Sequence, residues 1–523
     1  MLVNNSKIGE KTERVRSVIT IHNFKKFYGI ITFMLIIVIP AALYGITTFE
    51  RTYGGIYGDD GRYVQQTLDG GYIITGEANY AFGQSYGDVY LIKTNSYGDT
   101  IWTRTYRGDC DSDNYNAKCV QQTLDTGYIL VGGSNGIHSG YVDGDIYLIK
   151  TDSMGDTVWT KAYSGSDSLG LDWGNSVQQT SDEGYFVVGY TSFNEGDVYL
   201  IKTDSYGDTL WTRNYGGEYS LEEAYSGQQT SDGGYIAVGY TIGGGVNYGD
   251  VYLIKTDSSG DTLWTRTYYH SSNACNYCYS VQQTSEGGYI ITGQTSSGYG
   301  HSDVYLIKTD SSGDTIWTRT YGGWDDWDSG NSVQQTSDGG YIITGETGEI
   351  SSQTDVYLIR TDSSGDTIWT RTYGGIDYDY GSFGQQTLDG GYIVVGQTGV
   401  NYGLVFGDVY LIKTDRCGNV GNIGIEEEGK PDTLYLIGNY PNPVTSHTVI
   451  QYFIPRNMDV ELTIYNIKGQ RVRTLIIGKE LAGTHTISWN GKDDYGVTVA
   501  NGIYFYKLKA NNKLKAKKML LLR

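Results

Sequence analysis

The residues able to do chemistry in this chain fall into a few sets. Asp325, Asp326 and Asp328 crowd into one short segment, and clustered carboxylates suit Ca2+. Their spacing is not that of an EF-hand loop and no bidentate Glu is placed, so Ca2+ is kept only as a candidate there and no other cofactor is expected. Trp173, Trp324, Trp327, Tyr378, Tyr380 and Tyr402 sit in segments rich in Gly, Asn, Ser and Asp. Rigid aromatics beside small polar groups make adaptable recognition surfaces, and aromatics beside carboxylates suit stacking on sugar rings. Cys110 with Cys119, and Cys275 with Cys278, form two local pairs, while Cys417 stands alone. Such pairs fit disulfides in an oxidising compartment; the Cys275–Cys278 spacing is also half of a zinc site, but no second half is evident.

Catalytic patterns are weak by comparison. The 6 histidines form no metal-ligand or triad spacing. No Gly-rich phosphate loop opens a helix. A glycosidase needs two positioned carboxylates, and 59 acidic residues single out no pair. Arg104, Arg213, Arg266, Arg319 and Arg371 recur at one repeated position and so mark no unique centre. No catalytic residue is expected.

The elements that must carry these residues are set by a repeat. D-V-Y-L-I-K starts at Asp88, Asp197, Asp250, Asp303 and Asp408, with variants at Asp145 and Asp355; Q-Q-T starts at Gln65, Gln121, Gln178, Gln228, Gln282, Gln334 and Gln385. The period of roughly 53 residues belongs to solenoids and propellers. Each unit reads as four short strands: S-V-Q-Q-T, G-Y-I-I-T-G, D-V-Y-L-I-K-T and W-T-R-T-Y, with turns such as Ser337–Gly340 whose Asp-Gly tolerates positive φ. Strands two and three are apolar on both faces, as sheets packed between sheets must be. Six strand-four copies follow a strand three, and the seventh, F-E-R-T-Y at 49–53, stands alone before the first unit. The ends are therefore complementary, and a closed seven-bladed β-propeller over 46–416 is expected rather than an open solenoid with atypical caps. The strand one–two and three–four turns are short and uniform. The two–three loops and blade connections vary and carry the aromatics and the acids, Glu222 and Glu223 among them. One face should therefore recognise a ligand, while the repeated Trp, Arg and Tyr of strand four pack blades together.

Composition agrees. The chain of 523 residues holds 74 Gly, 50 Tyr and only 5 Pro, a β-and-turn usage. A net charge of −21 repels phosphate backbones, which argues against nucleic acid. Lys25 and Lys26 precede an apolar run from Phe27 to about Leu43, so 1–45 reads as a signal peptide or an N-terminal membrane anchor. After a linker at 417–431, strand patterns with turns such as Ile467-Lys468-Gly469 suggest a small Ig-like sandwich over 432–523.

Two resemblances bear on this reading. T-D-S-S-G-D-T-x-W resembles the Gly-Trp turn of quinoprotein-type propellers and, more loosely, the aspartate box of sialidase-type propellers; both are structural turns. The C-terminal segment, through Asn439-Tyr440-Pro441-Asn442-Pro443, the hairpin at 464–472, the turn at 489–496, Gly502–Tyr506 and Lys517-Lys518-Met519-Leu520, resembles the type A sorting domain of the type IX secretion system and the related Ig-like domain of flagellar hook-capping proteins. The resemblance implies export across the outer membrane, the secretion machinery as partner, a secreted or outer-surface location, and a signal held by Gly502, Tyr504, Lys518 and Leu520. The function expected is a non-catalytic secreted or surface propeller that binds a glycan or a protein through its variable loops. The alternative is an extracellular propeller hydrolase acting on polysaccharide.

Overall fold

The structure is a computed structural model, describing residues 47–55, 58–80, 87–107, 114–138, 141–165, 171–191, 196–217, 219–243, 249–269, 275–296, 301–323, 326–348, 353–400, 407–420, 435–440, 444, 447–454, 457–480, 483–510 and 513–522. The chain divides into two compact units, Met1–Asn422 and Ile423–Arg523.

In the first unit each repeat folds into one antiparallel meander. Blades one to six span 58–106, 114–163, 172–215, 220–268, 275–321 and 329–373. Blade seven takes three strands from 378–414 and its outermost strand from Phe49–Tyr53, which pairs with Asp408–Thr414 from Phe49↔Lys413 to Tyr53↔Val409. The innermost strands touch one another in order, and that of blade one (Gly58–Gln66) touches that of blade seven (Tyr378–Gln386), closing the ring. Closure is the all-β, seven-bladed propeller that the complementary ends require. Strands two and three are buried along nearly their whole length, as at Tyr185–Thr191 and Asp197–Thr203, because each sheet is covered on both faces.

The repeated side chains hold blade to blade. The Tyr hydroxyl ending each fourth strand donates to the turn glycine carbonyl of the next blade, from Tyr53 to Gly98 (2.6 Å) and Tyr106 to Gly155 (2.7 Å) round to Tyr373 and Gly418 (2.6 Å). Such a bond contributes about 1 kcal/mol, and it occurs seven times. The fourth-strand Trp meets the second-strand Tyr of the next blade edge to face, as in Trp102–Tyr128 at 6.0 Å, with Phe49 on Tyr72 in the closing strand. The adjacent turn is built by Asp310, whose Oδ1 accepts from the Ser312 and Asp314 amides. Gly313 has φ of 79° and lies under Trp264 of the preceding blade, where a Cβ would collide with the indole.

The paired glutamines form a second ring. The second Gln of each unit accepts the amide of the residue after Q-Q-T in the preceding blade at 2.8–2.9 Å, from Leu68 on Gln122 to Leu388 on Gln66. Within blades, a buried third-strand Lys or Arg reaches the acid of the first turn, as Lys150 reaches Asp125 at 2.8 Å. The lowered pKa of Asp125 reflects Lys150, Thr123 and Gly127 outweighing burial, the largest single influence, which raises it.

The cysteines correct the expected disulfides. Cys275 and Cys278 lie three residues apart in one strand, opposite Ser296 and Gly293, and are not bridged. Their side chains leave opposite faces, and three residues of strand span about 10 Å, beyond disulfide reach. Cys119 is a buried thiol 3.7 Å from the Val177 carbonyl of the next blade, pushed up to about 12 by burial. It is a core residue rather than half of a loop bridge; Cys110 lies outside the described residues.

The second unit is a two-sheet sandwich. One sheet orders Tyr435–Tyr440, Thr448–Ile454 and Gly483–Trp489; the other orders Arg471–Glu480, Met458–Asn466, Gly502–Ala510 and Lys513–Leu521. Its core gathers Ile450, Ile464, Trp489, Tyr504, Leu508 and Met519. Gly502 pairs with Leu521, and Leu520 with Ile503. The Tyr504 hydroxyl donates to Ala500 at 2.6 Å, and Lys518 is exposed. Among the described residues no helix is long and apolar enough to cross a membrane.

Candidate ligand-binding site

One position breaks the regularity of the repeat. The residue three before the first Gln of each unit is Arg62, Lys118, Asn175, Tyr225, Tyr279, Asn331 or Ser382. In every blade it is the extra residue of a β-bulge in the innermost strand, skipped by the pairing to strand two. The second-strand glycine makes the bulge feasible. A Cβ at Gly76 would strike the Asp60 carbonyl, and one at Gly239 the Glu223 carbonyl. Bulges take a side chain out of the ladder and re-aim it. Since the innermost strands abut round the ring, these seven half-buried side chains gather where the blades converge.

The gathering is chemically lopsided. On blades one and two, Arg62 pairs with Asp60 at 2.5 Å and Lys118 with Glu77 at 3.4 Å. Burial raises Asp60 above the carboxylate range, opposed by Arg62 and reinforced by Glu77, and burial lowers Lys118. On blades four and five the same level is aromatic. Tyr225 stacks with Tyr240 at 6.0 Å and meets Tyr279 edge-on at 5.4 Å; Tyr240 meets Tyr277 at 4.7 Å. The Tyr225 hydroxyl donates to Glu223 at 2.5 Å. Across from Ser329, burial pushes Glu346 up to about 7, and Tyr279 feels both Glu346 and Glu223.

Beside this aromatic side, at the variable end between blades five and six, a cavity of about 290 Å3 is lined by Cys275, Tyr277, Gln294, Ser296, His301, Ser302 and Trp327. Trp327 is 46% exposed and donates its backbone amide to Gly348. An indole, a phenol and several short polar groups thus share one hollow. A hollow of about 310 Å3 on the sandwich is walled by Glu461, Thr463, Tyr465, Lys507, Lys509 and Leu514, and its one ring is covered by Lys507 at 5.4 Å.

The residues singled out in the sequence divide accordingly. Trp327 lines the cavity. Tyr378 and Tyr380 stack at 6.4 Å on the innermost strand of blade seven. Trp173 is half-buried and its ring covers Gly133 of blade two, so it packs blades together. Asp326 and Asp328 flank Trp327 in the connection from blade five to blade six. Trp324, Asp325 and Tyr402 lie outside the described residues. The bulge residues were missed, with Asp60, Glu77 and Glu346; variation at one position of a near-constant repeat was the signal.

Residues 445–513 match the family described as FlgD Ig-like domain. An 85-residue stretch is 40% identical to the basal-body rod modification protein FlgD of Salmonella typhimurium and covers 16% of this chain; the chain spans only 37% of that relative's length. Among solved structures, PorZ, described as a bacterial surface component of the type IX secretion system of Porphyromonas gingivalis, aligns over 90% of this chain and 60% of its own at 11% identity, with a TM-score of 0.43. The β-propeller domain of the Trilobed protease from Pyrococcus furiosus aligns over 72% of this chain and all of its own at 9% identity, with a TM-score of 0.39. The chain is thus similar to FlgD through its C-terminal sandwich.

Proposed function

We propose that this protein is a non-catalytic, secreted or surface-attached propeller that binds a carbohydrate at the variable end, and that its C-terminal sandwich directs export. The observation that carries the reading is the cavity holding Trp327 and Tyr277 beside Gln294, Ser296 and His301. Aromatic faces cover the apolar side of a sugar ring while short polar groups meet its hydroxyls. The constant end supports it by default, since its repeated Trp, Tyr, Arg and Gln are consumed in holding blades together. The full chain on a glycan array should bind a defined set of glycans, and Trp327→Ala and Tyr277→Ala should each weaken binding about five- to thirtyfold, the loss of a contact of about 1–2 kcal/mol. Undiminished binding by both variants, or capture of proteins alone, overturns the carbohydrate reading.

The export role rests on the resemblance of the C-terminal motifs and the FlgD Ig-like match. In the same reading, 1–45 serves as signal peptide or anchor, and the type IX machinery reads Gly502, Tyr504, Lys518 and Leu520. A second reading, polysaccharide hydrolysis, is favoured by one observation: Glu346 is held near neutrality at about 7, as a general acid requires. Release of reducing ends by the full chain, abolished in Glu346→Gln, would be its signature.

A further inference from the structure

The connections between blades show a second pattern. The acid that opens D-V-Y-L-I-K in one blade meets a residue at or just before the start of the first strand of the next, beside the linking turn. At Gly54 a Cβ would strike oxygens of Asp408 and Asp59; at Gly216, of Asp197 and Glu222; at Gly322, of Asp303 and Asp328; at Gly374, of Asp355 and Asp379. Four connections thus bring two carboxylates against one bare glycine. The repeat supplies its own controls. Where Arg107 takes the glycine's place, its guanidinium grips Asp88 at 2.7 and 2.8 Å and Tyr115 stands in place of the second acid. Where Tyr269 stands instead, the second residue is Asn276. The acid pair persists where glycine or the small Ser164, with Asp145 and Asp172 at the matching positions, leaves room, and is broken where the long side chains of Arg107 and Tyr269 fill it.

The connection from blade five to blade six has the greatest unmet demand. Asp59 and Asp379 accept the amides of Gly55 and Gly375 at 2.8 and 2.7 Å. Asp328, only 1% exposed, has no hydrogen bond of ordinary geometry to either carboxylate oxygen. The Thr347 hydroxyl and the Gly323 amide stand near without closing one, and Asp303 and Asp326 press the same carboxylate with like charge. Asp326 Oδ2 crowds Gly323, the next residue of the turn. A buried, unpaired carboxylate facing another is costly unless a positive partner enters.

We propose that this connection binds a divalent cation of the Ca2+ type between Asp303 and Asp328, with Asp326 beside them. Among the described residues no three acidic, His or Cys side chains form a ready-made cage. Water and backbone carbonyls would therefore complete the about six to eight oxygens that Ca2+ takes. The cation would do for blades five and six what Arg107 does for blades one and two.

Tb3+ is the probe, with emission excited through tryptophan, because Trp327 immediately precedes Asp328. The full chain should give sensitised Tb3+ emission that Ca2+ displaces, and its melting temperature should fall on adding chelator. Asp328→Asn and Asp303→Asn should lose the emission. Asn already serves at the equivalent position in Asn276, so Asp328→Asn should keep the circular dichroism spectrum and chelated melting temperature of the parent. Emission retained in both variants overturns the proposal. So does a parent chain indifferent to Ca2+ and chelator but stabilised by acidification, since the two acids would then share a proton.

Discussion

The two ends of each blade obey opposite rules. At the constant end, every polar group repeated seven times has a repeated partner: Tyr hydroxyl with Gly carbonyl, Gln with backbone amide, buried Lys or Arg with turn acid. Little is left over to meet a ligand. At the variable end the same backbone carries side chains that change from blade to blade, from the Arg62–Asp60 pair to the Tyr225–Glu223 contact. The bulge is what permits this, because it takes one residue per blade out of the ladder without disturbing the strands around it. Identity between repeats therefore marks cohesion here, and departure from identity marks opportunity for recognition.

The sharpest way to break the comparison is at closure. Phe49 is 5% exposed, packs on Tyr72, and sits where six other blades carry Trp. Phe49→Ala should cost about 3–5 kcal/mol in denaturant unfolding. An unchanged midpoint would mean that the ring does not depend on its borrowed strand. A variable-end test comes next. Burial raises Glu346 from an ordinary 4.5 to about 7, so the fold prefers its protonated form. That stabilisation is complete below about pH 4.5 and is lost as pH rises through 7. Glu346→Gln should flatten this part of the pH dependence and be more stable than the parent at pH 8 by on the order of 1–3 kcal/mol. Parallel pH profiles for the two chains would show Glu346 to be solvated. The smallest effect lies at the constant end. Thr126 and Glu183 have φ of 69° and 68° where other blades place Gly70, Gly233 or Gly339. Thr126→Gly should raise stability by up to about 1 kcal/mol, measured by melting temperature, since glycine accepts that backbone without steric cost.

Much of this was legible in the chain, and the reasons are specific. Ring closure followed from counting strand-four copies, because an orphan strand at 49–53 has few other uses. The structural role of the fourth-strand Trp and Tyr followed from their presence in nearly every unit. The bulge was not legible because its residue lies inside a strand that reads as continuous, and only the pairing register reveals the skipped position. Trp173 looked like a recognition residue, but its worth lies in Gly133, which leaves room for the indole on the neighbouring blade. The cysteine pairs misled because spacing in sequence says nothing about which face of a strand a side chain leaves. Trp327, singled out by type and context, lines the cavity, while its cavity partners Tyr277 and Gln294 come from the preceding blade.

The borrowed strand also governs the order in which the molecule can be finished. Phe49–Tyr53 precedes every blade, yet its partner Asp408–Thr414 is the last strand of the repeat to be synthesised. Blades one to six can form as they emerge, but the seventh stays a three-stranded sheet with a bare edge until the chain's two distant segments meet. Exposed edges invite pairing with other chains. A nascent or truncated form missing either segment should therefore be the species that associates with its own copies, and swift meeting of those segments the step that prevents it.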